Sequence, residues 1–271
     1  MTQRTARNGS GTRQTVSRSF EVIELLEREE CLGITEIAEE IGLAKSTVHA
    51  YLKTLEQCGY VVQEETKYRL AYRVSLLGES VRKQSRLFVI GRDEIDNLAD
   101  ETGLYAHLSV EEEGKGINLY QSKGDAVERY DYQSKKVQKP DHLHVTATGK
   151  AILASLSSET AESILDAHGL PRRTPQTITD KETMLDELAT IRDRGYAYND
   201  EEEIKGFRAV GVSVCSPSGE VLGAISVSGP KSMLESNRFR DAIPEVVTRT
   251  SNLIEVTLNM STDYAPDDTE R

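Results

Sequence analysis

The stretch between Glu40 and Glu56 contains no Asp or Glu, although the 271-residue chain carries a formal net charge of −12. Within this stretch, Lys45, His49 and Lys53 follow one another four residues apart. That spacing places side chains on one face of an α-helix. A helix face with positive charge and hydrogen-bonding groups, but without carboxylates, suits a polyanion such as duplex DNA, which presents one negative charge per ~1.7 Å of its axis.

The same helix and its surroundings offer further groups for such a contact. A helix that enters the major groove reaches base edges with its N-terminal residues. Hydroxyl and imidazole groups can hydrogen-bond bases or phosphates, whereas lysines mainly contact phosphates. The candidate DNA-contacting residues are Arg18, Lys45, Ser46, Thr47, His49, Lys53, Lys67 and Arg69. The alternative is a solvated helix face that lacks acidic residues by chance.

Short elements on either side of this helix predict the frame that positions it. Apolar spacing predicts a first helix over residues 14–30, then a second helix that is capped by Thr35 and ended by Gly42. The basic helix follows over about 45–57, and two strand-like runs, YVVQEE and KYRLAY, come next. Helix, helix, turn, helix and hairpin is the order of a winged helix-turn-helix.

Charge is divided unevenly along the chain. Residues 1–90 contain 13 of the 33 Lys and Arg residues and 12 of the 45 Asp and Glu residues, so the remainder is strongly acidic. This asymmetry favours an anion-binding module joined to a different domain, and the length is enough for two domains. The predicted parts are a mobile basic arm at 1–13, a winged helix-turn-helix at 14–72, linker helices at 73–103, a second domain at 104–262 and a tail at 263–271.

The second domain reads as a mixture of strands and helices. Alternating apolar residues predict a hairpin over 104–124, a strand at VERYDY and another hairpin over 209–228. Three helices are predicted between the first and the last of these elements. A final helix over about 235–260 contains Pro244, which is expected to kink it or to mark its first turn.

The 209–228 hairpin has two different faces. One face is β-branched and suits a core, whereas the other is small and partly hydroxylated. Small residues and hydroxyls leave room and supply donors for a ligand, but small residues also let a helix pack closely, and both interpretations stay open. The segment HVTATGKA predicts a second wall, because a helix that begins at Thr146 or Ala147 presents an N-terminus that favours a carboxylate.

Metal and cofactor chemistry find little support in the residue types. The three cysteines, Cys31, Cys58 and Cys215, form no CxxC pair. His142 and His144 would share one face of a strand, which leaves a metal site as an alternative, but no further ligand follows at a suitable spacing. We therefore expect neither a metal ion nor a cofactor.

Catalysis and membrane insertion are not expected either. Acid–base or nucleophilic catalysis needs convergent groups, whereas the acidic runs 111–113 and 201–203 are expected in solvated loops and Lys150 on a solvated helix face. No apolar run approaches the ~18 residues of a spanning helix. The first residues lack the apolar core of a signal peptide. Because the odd number and wide spacing of the cysteines do not suggest disulfides, a reduced, cytoplasmic setting is expected.

Four segments together resemble the isocitrate lyase regulator (IclR) family of transcription factors. They read VSRSFEVIELL, GITEIAEEIGLAKSTVHAYLKTLEQCGYV, HVTATGKAILA and RGYAYNDEEEIKGFRAVGVSVCSPSGEVLGAISVSGP, and the likeness covers roughly residues 15–260. The chain departs from the family pattern at Ala50, where members usually carry Arg, and at Ala209, where many carry Cys.

The resemblance implies an α+β fold with an N-terminal winged helix-turn-helix, a linker helix and a C-terminal GAF-like α/β effector domain with an antiparallel sheet. It implies a sequence-specific regulator that binds a palindromic operator as a homodimer or dimer of dimers. The implied effector is a small carboxylate, sugar acid or aromatic acid. By position, the implied effector-binding residues are Thr146, Gly149, Asn199, Ala209, Ser226 and Ser228, followed by Asp200 and Val212. The alternatives are a general DNA-binding protein without metabolite sensing and a metabolic enzyme.

Overall fold

A computed structural model describes residues 13–128, 139–235 and 237–262. The chain divides into two compact units, one that ends at Val81 and one that begins at Arg82. The predicted basic arm, apart from Arg13, and the predicted tail at 263–271 lie outside the described residues, as does most of the predicted VERYDY strand.

The first unit is a three-helix domain with a small antiparallel sheet. Its elements are α1 (Gln14–Glu29), β1 (Leu32–Gly33), α2 (Ile34–Ile41), α3 (Lys45–Gln57), β2 (Val61–Glu64) and β3 (Lys67–Leu70). The strands lie in the order β1-β3-β2, so β2 and β3 form the wing that the sequence predicts. Its core includes Val22, Ile37, Val48 and Leu52, which are fully buried. The winged helix-turn-helix is confirmed.

The start of α2 differs from the prediction. Thr35 is not its cap, because the helix begins at Ile34 and the extended Gly33 precedes it. The Glu36 side chain reaches back and accepts a hydrogen bond from the Gly33 backbone N–H at 2.7 Å. Since Gly33 also pairs with Lys67 in the sheet, the chain passes from strand to helix without a separate side-chain cap.

Two helices follow the wing, and they have different surroundings. The first, α4 (Arg73–Gln84), has no buried residue, whereas the second, α5 (Arg86–Thr102), has seven. Phe88, Ile95 and Leu98 of α5 belong to the core of the second unit. The stretch predicted as linker helices, 73–103, therefore contains one solvent-exposed helix and one helix that is a layer of the second unit.

The second unit is built on a six-stranded antiparallel sheet with the order β6-β5-β4-β9-β8-β7. Its strands are β4 (Tyr105–Glu112), β5 (Lys115–Lys123), β6 (Asp141–His142), β7 (Ala197–Asp200), β8 (Phe207–Cys215) and β9 (Val221–Pro230). Its remaining helices are α6 (Ala147–Ser155), α7 (Ser158–His168), α8 (Lys181–Arg194) and α9 (Ile243–Thr262). One sheet face packs with α5 and α9, and the other packs with α6, which α7 and α8 cover. The predicted α+β architecture is confirmed.

Local signals fixed several boundaries in this unit. The Asp180 side chain caps α8 by accepting from the Thr183 N–H at 2.8 Å, and Gly195 ends the helix in a left-handed conformation with φ of 85°. Pro244 is the second residue of α9, so it lies in the first turn as one of the two predicted outcomes had it. A π-helical turn, Arg238–Ala242, precedes it.

The close packing of α6 depends on two glycines, one that faces the preceding turn and one in the sheet. A Cβ atom at Gly149 would lie 2.2 Å from the Leu143 carbonyl oxygen, and one at Gly211 of β8 would lie 2.5 Å from the Ala147 carbonyl carbon. The small face of the β8–β9 hairpin therefore accommodates a helix at Gly211. Of the two interpretations that the sequence left open, close helix packing holds at this position.

Gly149→Ala should lower the melting temperature, because the added methyl group collides with backbone that cannot move aside. We expect about 3 kcal/mol of destabilisation, as for overpacked cores. The control is Gly78→Ala on α4, where a Cβ meets nothing within 4 Å; it should stabilise by about 1 kcal/mol through helix propensity. Thermal unfolding followed by circular dichroism tests both, and equal melting temperatures for the two variants would contradict the packing account.

Candidate functional site

The outward face of α3 is exposed. Lys45, Ser46, His49 and Lys53 are exposed and Thr47 is half-buried, while Val48, Leu52 and Leu55 on the opposite face are buried. The helix bounds, Lys45–Gln57, agree with the prediction. A basic, hydroxyl-bearing surface without carboxylates thus lies on the solvent side of the third helix of a winged helix-turn-helix.

Two of the other predicted DNA-contacting cations pair with carboxylates of their own unit. Arg18 contacts the Glu21 carboxylate at 2.6 Å. Arg69 contacts the Glu64 carboxylate at 2.6 Å, and its guanidinium lies over the Tyr72 ring at 5.0 Å. Lys67 is exposed at the start of β3. The structure thus gives Arg18 and Arg69 acidic partners, which the sequence reasoning did not assign to them.

A cavity of about 470 Å³ lies in the second unit, beside the outer strands of the sheet. It is lined by Arg82, Ser109, residues 116–121 of β5, residues 139–141, Thr146 and Thr148. Hydroxyl groups of Ser109, Thr146 and Thr148 and the cationic side chains of Arg82 and Lys139 contribute to this lining. Such a set can hydrogen-bond a small hydroxylated or carboxylated molecule.

The lining of the cavity depends on an irregularity between β4 and β5. Gln121 is opposite His107, but Asn118 is opposite Ser109, so Leu119 is an extra residue on β5. His107 and Ser109 are two residues apart and share a sheet face. Asn118 and Gln121 therefore also share that face, although regular alternation would place residues three apart on opposite faces.

The first turn of α6 forms the other side of the cavity. Thr146 is the N-cap, and its hydroxyl oxygen accepts a hydrogen bond from the Gly149 N–H at 2.9 Å. Thr146 is the one effector-binding candidate among the predicted six that lines this cavity. Thr148, which sequence reasoning did not select, lines it as well and is 7% exposed.

The other predicted effector-binding residues lie elsewhere in the second unit. Gly149 packs on the turn at Leu143, and Ala209 and Ser226 are buried in the sheet. The Ser228 hydroxyl lies 2.9 Å from His107 Nε2. Asn199 uses its amide within the protein: Nδ2 donates to the Val145 carbonyl at 2.6 Å and Oδ1 accepts from the Glu202 N–H at 3.0 Å.

Two residues expected to be solvated are buried instead. Lys150 is 1% exposed and Glu202 is 8% exposed. The Lys150 ammonium donates to the two carboxylate oxygens of Glu202 at 2.7 and 2.8 Å, and Glu187 of α8 lies 3.5 Å away. Burial raises the pKa of Glu202, while the Lys150 ammonium opposes that shift. A charged side chain is tolerated here because an opposite charge was brought to it across 52 residues of chain.

The predicted histidine pair is also partly buried, next to the cavity. The rings of His142 and His144 lie 5.6 Å apart, centroid to centroid, and the Lys115 ammonium lies 3.1 Å from His142 Nδ1. Burial and the Lys115 charge lower the pKa of His142 to about 4. Within the described residues, no three His, Cys, Asp or Glu side chains are arranged to hold a metal ion.

Two family models match the chain. The model described as the bacterial transcriptional regulator IclR C-terminal domain matches residues 80–256, and that of the IclR helix-turn-helix domain matches residues 15–65. The chain belongs to the IclR family. It is therefore a DNA-binding transcriptional regulator, and the alternative of a metabolic enzyme is set aside because the matched families and curated relatives are regulators.

Curated and solved members of the IclR family resemble this chain over most of its length. A probable helix-turn-helix transcriptional regulator ArcR of Halobacterium salinarum is 35% identical, over 93% of this chain and 97% of its own. The crystal structure of Thermotoga maritima IclR is 25% identical with a TM-score of 0.74, covering 90% of this chain and 98% of that one. An IclR homologue from Microbacterium hydrocarbonoxydans, solved with 4-hydroxybenzoate, has the same coverage, 22% identity and a TM-score of 0.75.

None of the helices that the structure describes is long and apolar enough to cross a membrane.

Stability should fall as pH decreases, in part because of His142. The folded protein resists protonation of this ring until about pH 4, whereas the unfolded chain binds the proton from about 6.5. Between these values the unfolded state binds more protons, so acid favours unfolding. His142→Gln should reduce the slope of unfolding free energy against pH, measured by urea titration from pH 7 to pH 4.5. Part of the slope should remain, because burial lowers the pKa of His144 too.

The control for this substitution is His49→Gln on the exposed face of α3. An identical pH slope in the His142→Gln variant and the unsubstituted protein would contradict the account.

Proposed function

We propose that this IclR-family regulator reads its operator with α3 and binds a small carboxylate in the cavity beside α6, and that ligand binding alters operator affinity. The observation that carries the DNA-reading part is the exposed, carboxylate-free face of α3. The ligand part rests on the cavity and its hydroxyl and cationic lining. A DNA-bound regulator acts where the chromosome lies, so the proposed setting is the cytoplasm.

The α3 surface is suited to the major groove. A helix of 13 residues is roughly 20 Å long, and helix-turn-helix proteins direct the N-terminal residues of this helix to base edges. Ser46, Thr47 and His49 are proposed as base or phosphate contacts, and Lys45 and Lys53 as phosphate contacts. On the wing, exposed Lys67 is the proposed phosphate contact.

Arg18 and Arg69 remain proposed DNA contacts, provided that each can leave or share its carboxylate partner. Each is held by a carboxylate of its own unit, so a phosphate would have to replace or share that partner. Both carboxylates are partly solvent-exposed, and surface ion pairs contribute only about 0–1 kcal/mol. Replacing the carboxylate partner by a DNA phosphate therefore costs little free energy.

A carboxylate is the proposed ligand class because two cations and several hydroxyls line the cavity, and the one carboxylate in the lining, Asp141, is already paired with Arg173 at 2.7 Å. Arg82 and Lys139 supply positive charge, Ser109 and Thr148 supply hydroxyls, and the N-terminus of α6 supplies the positive end of a helix dipole. Similarity to the homologue solved with 4-hydroxybenzoate supports an aromatic acid as one member of the class. Sugar acids and small 2-oxo acids match the same lining chemistry.

A second copy of the chain is the proposed partner in reading a palindrome. The exposed helix α4 and the residue before it carry large apolar side chains at Tyr72, Leu76, Leu77 and Val81, with 49–81% of each exposed. An exposed apolar stripe of this kind is typical of a protein interface. In a two-fold dimer, the two recognition helices meet half-sites about 34 Å apart.

Lys45→Glu and Lys53→Glu together should weaken operator binding by roughly 100-fold, because two phosphate-facing charges reverse sign. The measurement is electrophoretic retardation of the DNA upstream of the protein's own gene at fixed salt. Lys205→Glu, on an exposed residue of the second unit, controls for net charge and should bind normally. Unchanged binding by the double variant, with its circular dichroism intact, would reject this orientation of α3.

Thr148→Leu should remove ligand binding without affecting DNA binding, since the larger side chain projects into the cavity and a lining hydroxyl is lost. Thermal-shift measurements with 4-hydroxybenzoate, gluconate and pyruvate represent the three acid classes. A ligand at about 100 times its dissociation constant should stabilise the unsubstituted protein by roughly 2.7 kcal/mol, and the variant by nothing. If a ligand stabilised both proteins equally, it would bind outside this cavity.

Retardation experiments also separate a specific regulator from a general DNA-binding protein. Binding that is equally strong on unrelated duplexes and insensitive to all three acids would favour the general DNA-binding alternative.

A further inference from the structure

Lys150 is an unusual residue for its position. It lies in the second turn of a helix, and its side chain is 1% exposed. Removing an ammonium and a carboxylate from water costs several kcal/mol per ion, and the attraction between them offsets this only with good geometry. Apolar side chains of similar volume would fill such a site at lower cost. The pair with Glu202 therefore calls for an explanation other than stability alone.

The position of Lys150 next to the cavity offers such an explanation. Its backbone N–H donates to the Thr146 carbonyl at 2.9 Å, which closes the first turn of α6. That turn carries Thr146 and Thr148, which line the cavity. A displacement of the Lys150 side chain would therefore also shift Thr146 and Thr148, which lie within one helical turn of it.

The backbone of Glu202, the partner of Lys150, is itself held in place by hydrogen bonds. Its backbone carbonyl accepts a hydrogen bond from the Thr177 hydroxyl at 2.7 Å, and its N–H donates to Asn199 Oδ1 at 3.0 Å. The Asn199 amide nitrogen donates to the Val145 carbonyl at 2.6 Å, just before Thr146. Asn199 of β7 and Glu202 of the loop that follows thus hold the beginning of α6 at two points, one on each side of the first turn.

Only one wall of the cavity depends on these contacts. Ser109, Asn118 and Gln121 are fixed by the hydrogen-bond ladder of β4 and β5, which the Lys150–Glu202 pair does not touch. Loss of the pair would therefore move the Thr146–Thr148 wall relative to the sheet wall. Groups that bind a ligand must be held to within about 0.5 Å by supporting contacts.

We infer that Lys150 and Glu202 are positioning residues of the ligand site, and that their ion pair, with Asn199, fixes the first turn of α6 in the geometry that shapes the cavity. This inference rests on the proposed function of the cavity. Glu187, whose carboxylate lies 3.5 Å from the ammonium, is a second acidic neighbour of Lys150. The ligand meets Thr146 and Thr148 and never touches the ion pair.

The test measures the exposure of the α6 wall without any ligand or DNA. Thr148→Cys is introduced into a Cys31→Ser, Cys58→Ser background, and Cys215 in β8 is kept as an internal reference. Labelling by 5,5′-dithiobis(2-nitrobenzoic acid) under native conditions gives the ratio of the reaction rate at the introduced thiol to the rate at Cys215. Local loosening of α6 raises this ratio. Because Cys215 is partly exposed, global unfolding also contributes to the ratio, so the free energy of unfolding of each variant is measured by urea titration and the rise expected from global unfolding alone is subtracted.

Lys150→Met with Glu202→Leu should raise this ratio at least tenfold. The double substitution leaves no buried charge without its partner, so the fold is expected to persist. Glu202→Asp keeps both charges but shortens the reach, and should raise the ratio by a smaller amount, about threefold. Glu101→Gln with Arg249→Met removes another ion pair of the same unit, 2.6 Å between its charged atoms, and should leave the ratio unchanged.

Two results would overturn the inference. One is a ratio within twofold of the starting value after loss of the Lys150–Glu202 pair; if that variant does not fold, an unchanged ratio in Glu202→Asp decides. The other is an equal rise in the control that lacks the Glu101–Arg249 pair. Absence of ligand stabilisation in the thermal-shift experiment would instead count against the proposed ligand, so the two failures are distinguishable.

Discussion

The burial of α6 is the constraint on which the second unit depends. Every residue from Ala147 to Ala154 is buried, so the helix has neighbours on all sides, and Gly149 and Gly211 permit backbone contact on two of them. Interiors packed to this density transmit displacement instead of absorbing it. The sheet, the turn at 143–145 and the loop after β7 therefore hold fixed positions around one short helix.

The same constraint explains why a cavity can exist next to so crowded a helix. The helix cannot sink further onto β8, because its backbone already meets Gly211. It cannot rotate without separating Lys150 from Glu202. Space beside its first turn is therefore retained along β5, and polar groups from both walls face it. The shape of the cavity is therefore maintained by contacts of residues that do not line it.

Local sequence signals were sufficient for much of the fold. The bounds of α3 could be predicted because its apolar stripe is regular and glycines at 42 and 59 end the flanking turns in left-handed conformations. Thr35 was misassigned because a backward-reaching Glu36 replaces the usual cap. The sequence could not show that α4 is exposed whereas α5 packs on the sheet. Helical periodicity shows that a helix has an apolar face but not which partner covers that face.

The candidate site was less predictable for a different reason. The helix start at Thr146 could be found because an N-cap has a local signature, and its place in a ligand site was implied by the family resemblance. Lys150 and Glu202 are 52 residues apart, and each by itself is a charged residue of the kind usually found in solvent. Asn118 and Gln121 were missed because alternation assigns them to opposite faces. Only the pairing register between β4 and β5, which is a property of two strands together, brings them to one surface.

The extra residue at Leu119 has an evolutionary consequence. Loss of this single residue would leave Asn118 and Gln121 two positions apart, so both would stay on the face that Ser109 and His107 share, and the other pairs of the hairpin would keep their partners. What the deletion would remove is the local bend and the extra twist that a bulge gives its strand. A one-residue deletion here would therefore change the path of the cavity wall and leave its chemical groups in place, whereas a point substitution changes a group and leaves the backbone path in place.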